Sequence, residues 1–125
     1  MELLSSKDVL NIHRKVINSQ ELQGLAGNKS LDAIISRVEN RIYYGFIGDV
    51  YDLAATYAVV FALGHVFNDA NKRTGAIAMD TALRRNGIHL RLDAEKIGQI
   101  IIKVAQGIVD ETALARHLRA LTPVH

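Results

Sequence analysis

The distribution of helix breakers constrains the fold of this 125-residue chain more than any other feature. Its single proline, Pro123, stands near the end, so the residues before it lack the strongest helix breaker. Glycines recur between stretches whose apolar residues have three- and four-residue spacing, the period of a helix face. The pattern predicts one all-α domain over residues 1–125, a compact bundle of about six helices.

Capping residues and apolar spacing predict where the helices begin. A very apolar helix that precedes His65 is expected at the centre of the domain, because it has almost no polar face. The helix over residues 72–86 is expected to stop at Gly87, and the last helix before Thr122-Pro123. The expected starts are after Ser5 or Ser6, after Ser30, and at Asp52, Lys72, Asp93 and Asp110.

Two segments between the helices have a different composition. Residues 41–50 (RIYYGFIGDV) combine aromatic, β-branched and glycine residues, which favours a short hairpin or an ordered loop before the central helix. We call these residues the flap. Residues 88–92 alternate apolar and polar side chains, which predicts a short strand.

Composition excludes several classes of protein. The chain has no cysteine for a disulfide scaffold or a thiolate site, and no apolar run near the roughly twenty residues of a membrane span. Its first residues, with Glu2 and a short leucine pair, do not resemble a signal peptide. A formal net charge of +2 predicts no direct nucleic-acid partner. We therefore expect a soluble, cytoplasmic protein without a membrane partner.

Residues 65–75 contain the residue types of a phosphoryl-transfer site. A histidine gains and loses a proton near neutral pH, so His65 suits proton transfer from an attacking hydroxyl. Asp69 offers a carboxylate, and Mg²⁺ commonly takes only one or two carboxylates, with phosphates and water as its other ligands. Because residues 72–91 carry five basic side chains and one acid, they suit an anionic ligand or a solvated helix face.

The predicted helix after this loop supplies donors for an anion. Asn71 is expected to cap it, which leaves the backbone N–H groups of Lys72, Arg73 and Thr74 directed at a phosphate. Lys72 and Arg73 add positive charge that stabilises a transferring phosphoryl group. Gly75 is expected to allow close approach of backbone or ligand, and it is assigned with Asn71, Lys72 and Arg73 to phosphate and nucleotide binding.

Each of these residues also has a purely structural interpretation when it is taken alone. Residues 68–71 fit a turn with a cap, and Lys72-Arg73 fits a solvated pair. Phe67 is expected to anchor the loop in the core rather than take part in chemistry. No P-loop pattern occurs. Four histidines lack the spacing of metal ligands and are expected in surface or packing roles: His13, His89, His117 and His125.

The combination resembles the signature of the Fic family, His-x-Phe-x-(Asp/Glu)-(Gly/Ala)-Asn-(Gly/Lys)-Arg, at all seven specified positions of residues 65–73. In length, helical character and flap, essentially the whole chain is similar to the short Doc branch. The resemblance implies the Fic fold and ATP and Mg²⁺ as substrate and cofactor. It also implies roles for single residues: catalysis for His65, magnesium binding for Asp69, a structural role for Phe67, and phosphate binding for Asn71, Lys72 and Arg73.

Two positions separate this chain from the larger, adenylylating branch of the family. Lys72 replaces a glycine, and Ala76 replaces a second arginine that helps to expose the α-phosphate of ATP in that branch. Doc toxins share both departures. The resemblance therefore implies a toxin that transfers the γ-phosphate of ATP to a threonine hydroxyl of elongation factor Tu and arrests translation. AMP transfer and a non-catalytic, antitoxin-binding or regulatory role are the alternatives.

The sequence also bears on partners. The self-inhibitory pattern of the family, (Ser/Thr)-x-x-x-Glu-(Gly/Asn), is absent, since Glu39 is the only candidate glutamate and Ile35 takes the hydroxyl position. The resemblance then implies a separate Phd-like antitoxin whose disordered tail folds onto an apolar groove. Apolar residues on the first two helices are one candidate surface, and core packing is their alternative use. The flap is expected to bind the target as an added strand.

Overall fold

The structure, a computed structural model, describes residues 1–121, so Thr122, Pro123 and His125 lie outside the described residues. Residues 1–121 form six helices and no strand, which confirms the predicted all-α class and is consistent with the Fic fold. None of the helices is long and apolar enough to cross a membrane. The helices are α1 (Ser6–Val16), α2 (Leu31–Tyr43), α3 (Val50–Leu63), α4 (Asn71–Arg85), α5 (Ala94–Ala105) and α6 (Glu111–Ala120).

Helix α3 lies at the centre of the bundle, as its uniformly apolar composition predicts, and contacts α2, α4, α5 and α6. Its two large aromatic residues, Tyr57 and Phe61, are almost completely buried. The Tyr57 hydroxyl accepts a hydrogen bond from the Leu4 backbone N–H at 2.9 Å, so the segment before α1 is attached to the core. Most apolar residues of α1 and α2 pack into the same core, and the large exposed ones, Leu10 and Tyr43, do not form a long apolar row.

Small residues allow α3 and α4 to pack very closely. Gly75 of α4 is buried, and a Cβ atom at this position would lie 2.8 Å from the backbone oxygen of Ala58 on α3. Helix α3 therefore presents its backbone directly to α4. The two helices on either side of the motif are the most closely packed pair in this part of the fold.

Local capping explains where most helices begin. The side chains of Ser5, Ser30, Asp93 and Asp110 each accept a hydrogen bond from a backbone N–H in the first turn, as predicted.

The start of α3 differs from the prediction, because Asp49 and not Asp52 is its cap. The Asp49 side chain accepts from the Asp52 N–H at 2.8 Å, and the Asp52 side chain accepts from the Gly48 N–H at 3.0 Å. These two bonds close the turn before α3. The helix therefore begins at Val50, inside the segment predicted to be the flap.

Of the two alternatives predicted for residues 41–50, the hairpin is not formed within the described part of the chain, whereas residues 44–49 form an ordered loop. Helix α2 continues to Tyr43, because the partly buried Ile42 extends its apolar face. Gly45, at a φ of +80°, then ends the helix, and the Phe46 N–H donates to the Arg41 oxygen at 2.9 Å. The flap is thus a helix end and a tight turn, with Phe46 exposed beside it.

The strand predicted for residues 88–92 is not formed either, although the predicted alternation is present. Leu90 is buried while His89 and Arg91 are exposed. The segment follows Gly87, which ends α4 at a φ of +80° as predicted. Within the described residues, an extended connection between α4 and α5, with a single β-bridge residue at Leu90 and no strand, therefore satisfies the same alternating pattern.

Candidate active site

The motif loop, residues 65–70, connects α3 to α4 and has a left-handed residue at each end. His65 has a φ of 51° and Ala70 a φ of 66°. Neither is a glycine, and this conformation costs roughly 1–2 kcal/mol for each such residue. The surrounding contacts must therefore hold the loop in place.

A cavity of about 350 Å³ lies at this loop and brings together five of the residues singled out from the sequence. The His65 and Lys72 side chains are exposed, and Asp69 is half-buried. Glu21 and Ala105, which carry no sequence signal for this site, also line the cavity. The five predicted residues in its wall are His65, Asp69, Asn71, Lys72 and Arg73.

Phe67 and His13 form the support beneath the loop. The Phe67 ring is buried and stacks on the His13 ring, with centroids 3.8 Å apart and an angle of 8° between the planes. Nε2 of His13 lies 2.9 Å from the backbone oxygen of Asp69. A carbonyl oxygen can only accept, so Nε2 of His13 carries a hydrogen and donates it to this bond. Sequence reasoning assigned His13 to the surface or to packing and missed its contact with the motif.

The segment that precedes α2 holds the loop from its other side. The Ala26 N–H donates to the Val66 oxygen at 2.8 Å, and the Asn68 N–H donates to the Gly24 oxygen at 3.1 Å. The Asn68 side chain donates to the backbone oxygens of Gln23, at 2.9 Å, and Leu25, at 3.2 Å. No periodicity in the sequence predicts these contacts.

Asn71 closes the motif loop instead of capping α4. Its Oδ1 accepts from the Phe67 N–H at 3.0 Å, and its Nδ2 donates to the Phe67 oxygen at 2.9 Å. The cap position belongs to Ala70, without a side-chain hydrogen bond, so the predicted cap is wrong. The Thr74 N–H donates to the Ala70 oxygen, whereas those of Lys72 and Arg73 precede the first helical bond and stay available for an anion.

Gly75 is buried against α3 and does not line the cavity. Its assignment to phosphate binding is corrected, because the close approach it allows is that of the α3 backbone. The physical requirement for a glycine here is steric, since any side chain would meet Ala58.

The Arg73 side chain is paired within the chain. Its Nη2 forms an ion pair with Glu21, and its Nη1 donates to the Val16 oxygen at 2.6 Å. The hydrogen bond from Arg73 lowers the pKa of Glu21, and the bond from the Asn18 N–H adds to this effect. A phosphate that binds Arg73 must therefore compete with a carboxylate, whereas Lys72 has no ion-pair partner among residues 1–121.

Asp69 presents a single carboxylate to the cavity. Its Oδ2 accepts from the Leu22 N–H at 2.7 Å, which orients the group. The described residues contain no cluster of three or more His, Cys, Asp and Glu side chains. One oriented carboxylate fits Mg²⁺ bound together with nucleotide phosphates and water, and it does not fit a metal held by protein ligands alone.

A second cavity, of about 510 Å³, lies between α4 and α5 beside the first. Lys72 and Arg73 line both cavities. The wall of the second cavity is otherwise largely apolar and includes Ile77, Ile97 and Ile101. It includes neither His65 nor Asp69. The candidate catalytic and metal-binding residues therefore line the smaller cavity, and the larger one offers an apolar surface next to it.

The chain is similar in sequence to known proteins over nearly its whole length. The sequence model of the Fic/DOC family matches residues 3–83, which include α1 to α3, the motif loop and most of α4. The chain is 34% identical over 122 residues to the protein named "Protein kinase doc" of Escherichia phage P1. The matched residues cover 97% of this chain and 96% of that protein. The chain therefore belongs to the Fic/DOC family.

Proposed function

We propose that this protein is a protein kinase that transfers the γ-phosphate of ATP to a hydroxyl group of another protein. The observation that carries the proposal is the cavity in which His65, Asp69 and Lys72 meet the start of α4. His65 takes the proton of the attacking hydroxyl as the new O–P bond forms. The bond between the γ-phosphorus and the bridging oxygen breaks, and ADP leaves.

The phosphate site is formed by the start of α4. The backbone N–H groups of Lys72 and Arg73 and the Lys72 ammonium stabilise the charge on the transferring group. Arg73 joins them when the phosphate replaces Glu21. The apolar cavity between α4 and α5 offers a surface for the adenosine part of ATP.

Asp69 would hold Mg²⁺, which would supply positive charge to neutralise the phosphates of a bound nucleotide. The Leu22 N–H keeps one carboxylate oxygen of Asp69 in place, and His13 holds its backbone. These contacts position the ligand before the nucleotide binds.

Kinase activity is favoured over AMP transfer by two positions. Lys72 lies in the cavity wall where the adenylylating branch has glycine. Ala76 takes the place of that branch's second arginine and lines the neighbouring apolar cavity. The relative from phage P1 is itself named a protein kinase.

The proposed cellular role, target and antitoxin of this protein are based on its membership of the Fic/DOC family. The protein acts in the cytoplasm as the toxin of a toxin–antitoxin module, modifies a threonine of elongation factor Tu and arrests translation. A Phd-like antitoxin neutralises it, because the family's self-inhibitory pattern is absent from this chain.

Mass spectrometry of elongation factor Tu after incubation with the protein, ATP and Mg²⁺ tests the proposal. Addition of a phosphoryl group to a threonine is the expected result, and His65→Tyr should abolish it. His117→Tyr is the matched control, because His117 is exposed on α6 and lines neither cavity. An adenylyl adduct would instead establish AMP transfer, and an unmodified target would favour a non-catalytic role.

A further inference from the structure

A third concave surface, with a volume of about 490 Å³, lies between α2 and α3 and is called here the α2–α3 groove. Its floor is apolar and includes Ile34, Val38, Val59 and Val60. Most of α3 is buried, yet Leu63 in its last turn is 43% exposed in this groove. The central helix thus leaves part of its apolar surface uncovered at this point.

The rim of the α2–α3 groove is basic. Lys29, Arg37 and Arg41 line it, and none of its lining residues is acidic. Arg41 pairs with Glu111 across to α6 at 2.9 Å. Lys29 and Arg37 are exposed and have no ion-pair partner within the described chain. The groove therefore carries uncompensated positive charge above an apolar floor.

The location of the α2–α3 groove connects it to the candidate active site. One end is formed by Gly64, the residue before His65. At the other end, α2 leads into the exposed aromatic side chains of Tyr44 and Phe46. A chain segment that lies along the groove would therefore run from the flap to His65. The two cavities assigned to the nucleotide are separate from it, since they share no lining residue with the groove.

We propose that the α2–α3 groove binds an extended segment of the substrate protein that carries apolar and acidic side chains next to the accepting hydroxyl. The apolar side chains contact Leu63 and Val60, and the acidic ones pair with Lys29 and Arg37. Charge complementarity at such a rim selects partners and speeds their association. This proposal rests on the proposed kinase function in one respect, namely that the bound segment belongs to a substrate.

Peptide binding tests the groove without relying on catalysis. The probes are two fluorescein-labelled peptides that share leucine and threonine positions and differ by glutamate or lysine at the remaining positions. The glutamate peptide should bind about tenfold more tightly at low salt, and the difference should shrink at physiological ionic strength. The double variant Lys29→Glu/Arg37→Glu should lose about tenfold in affinity for the glutamate peptide.

Control variants separate the groove from a general effect of charge. Arg116→Glu changes an exposed basic residue of α6 outside the groove and should leave binding unchanged. Leu63→Ser should weaken binding of the glutamate peptide without changing the preference for acidic residues. Equal binding of the two peptides, or wild-type binding by the double variant, would overturn the proposal. Tighter binding of a single-stranded RNA, lost in the double variant, would overturn it in favour of a nucleic-acid surface.

Kinetic measurements distinguish failure of this proposal from failure of the proposed function. Phosphorylation of a protein substrate with an unchanged KM in the double variant would overturn the groove alone. Selective binding of the glutamate peptide without any phosphoryl transfer would overturn the kinase and leave the groove. The expected result is a raised KM for the protein substrate, with little change in kcat and in the KM for ATP.

Discussion

His13 links the core to the candidate metal ligand through the stack of its ring on Phe67 and through a ring nitrogen. It stacks on Phe67 and donates to the backbone oxygen of Asp69, so it positions the motif loop without touching the reacting groups. Its partner oxygen lies 56 positions away in the chain. A partly buried hydrogen bond of this kind contributes about 1 kcal/mol to folding.

His13→Phe should keep the ring stack and lose the hydrogen bond. We expect a loss of about 1 kcal/mol in the free energy of unfolding, because the partly buried Asp69 carbonyl loses its donor. The Mg²⁺ concentration for half-maximal phosphoryl transfer should also rise. Urea denaturation and a Mg²⁺ titration measure the two effects. His13→Gln, which restores a donor, should recover part of the Mg²⁺ affinity, and an unchanged titration in His13→Phe would exclude a positioning role.

Glu21 is the acid that neutralises Arg73 in the cavity. Removing its charge in Glu21→Gln should free the guanidinium for a phosphate and lower the Kd for ATP by up to about fivefold, the range of an exposed ion pair. Isothermal titration calorimetry gives the Kd directly. Glu111→Gln is the matched control, because Glu111 also pairs with an arginine but lies outside both cavities proposed to bind the nucleotide. Weaker ATP binding in Glu21→Gln would show that Glu21 orients Arg73 instead.

Among the helices, the contact between α3 and α4 depends most on a single position. Gly75→Ala places a Cβ atom 2.8 Å from the Ala58 backbone oxygen, which cannot move as a side-chain tip would. The two helices must separate, and we expect a loss of about 1–3 kcal/mol in the free energy of unfolding. The motif loop joins these helices, so phosphoryl transfer should fall as well.

Gly98→Ala is expected to raise the stability of the fold, whereas Gly75→Ala is expected to lower it. Gly98 is an exposed residue of α5, and an added Cβ would meet nothing within 4 Å. Alanine favours the helix over glycine, so this variant should gain up to about 1 kcal/mol. Urea denaturation of both variants makes the comparison. If Gly75→Ala were as stable as Gly98→Ala, the close packing of α3 and α4 would not limit stability.

At the scale of the whole molecule, two arginine–aspartate contacts join distant helices. Arg85 of α4 binds Asp8 of α1 through two hydrogen bonds, of 2.7 and 3.0 Å. Arg119 of α6 binds Asp49 at the start of α3. Hydrogen bonds from Arg85 hold the pKa of Asp8 well below its ordinary value. Burial opposes ionisation of Asp49, but bonds from Arg119 and the Asp52 N–H outweigh it and lower its pKa.

These pKa shifts predict how stability depends on pH. A carboxyl group whose pKa is lower in the folded state stabilises the fold above its unfolded value, 3.8 for Asp8, and loses this contribution as the pH falls towards the folded value. The free energy of unfolding should therefore stay level from pH 7 to about 5 and fall below about pH 4. Urea denaturation over this range measures the change.

Arg85→Met removes the partner of Asp8 and should make the decline at acid pH shallower. Arg116→Met is the control, since Arg116 is exposed and forms no ion pair with another described residue. A decline that is identical in the wild-type and Arg85→Met proteins would contradict the assignment of this contact.

The sequence by itself determined the features that depend on neighbouring residues. Ser5, Ser30, Asp93 and Asp110 cap their helices as predicted, because a cap requires only its own side chain and a backbone N–H within the next turn. The apolar composition of α3 likewise predicted its central position. The spacing within residues 65–75 also brought five of the candidate site residues to one cavity.

Predictions from neighbouring residues were wrong where the same residues allow two local structures, such as two cap positions or a helix and a hairpin. Asp49 and Asp52 can each cap a helix. In the structure Asp49 is the cap, which gives the longer of the two possible helices. Asn71 is a good cap in isolation, but a left-handed Ala70 takes that position and Asn71 bonds to Phe67 instead. Aromatic and glycine residues of the flap suit a hairpin equally well, yet α2 continues into them.

Only the tertiary structure decided which residues distant in the chain support the motif loop and which one pairs with Arg73. His13 beneath Phe67, Glu21 beside Arg73 and the segment from Gln23 to Ala26 lie far from the motif in the chain, and their contacts have no period that a pattern can detect. The sequence predicted that Gly75 allows a close approach. Its partner, the backbone of α3, is known only from how the two helices pack. Spacing along a chain reports neighbours within a few turns, whereas a site between elements depends on how those elements pack.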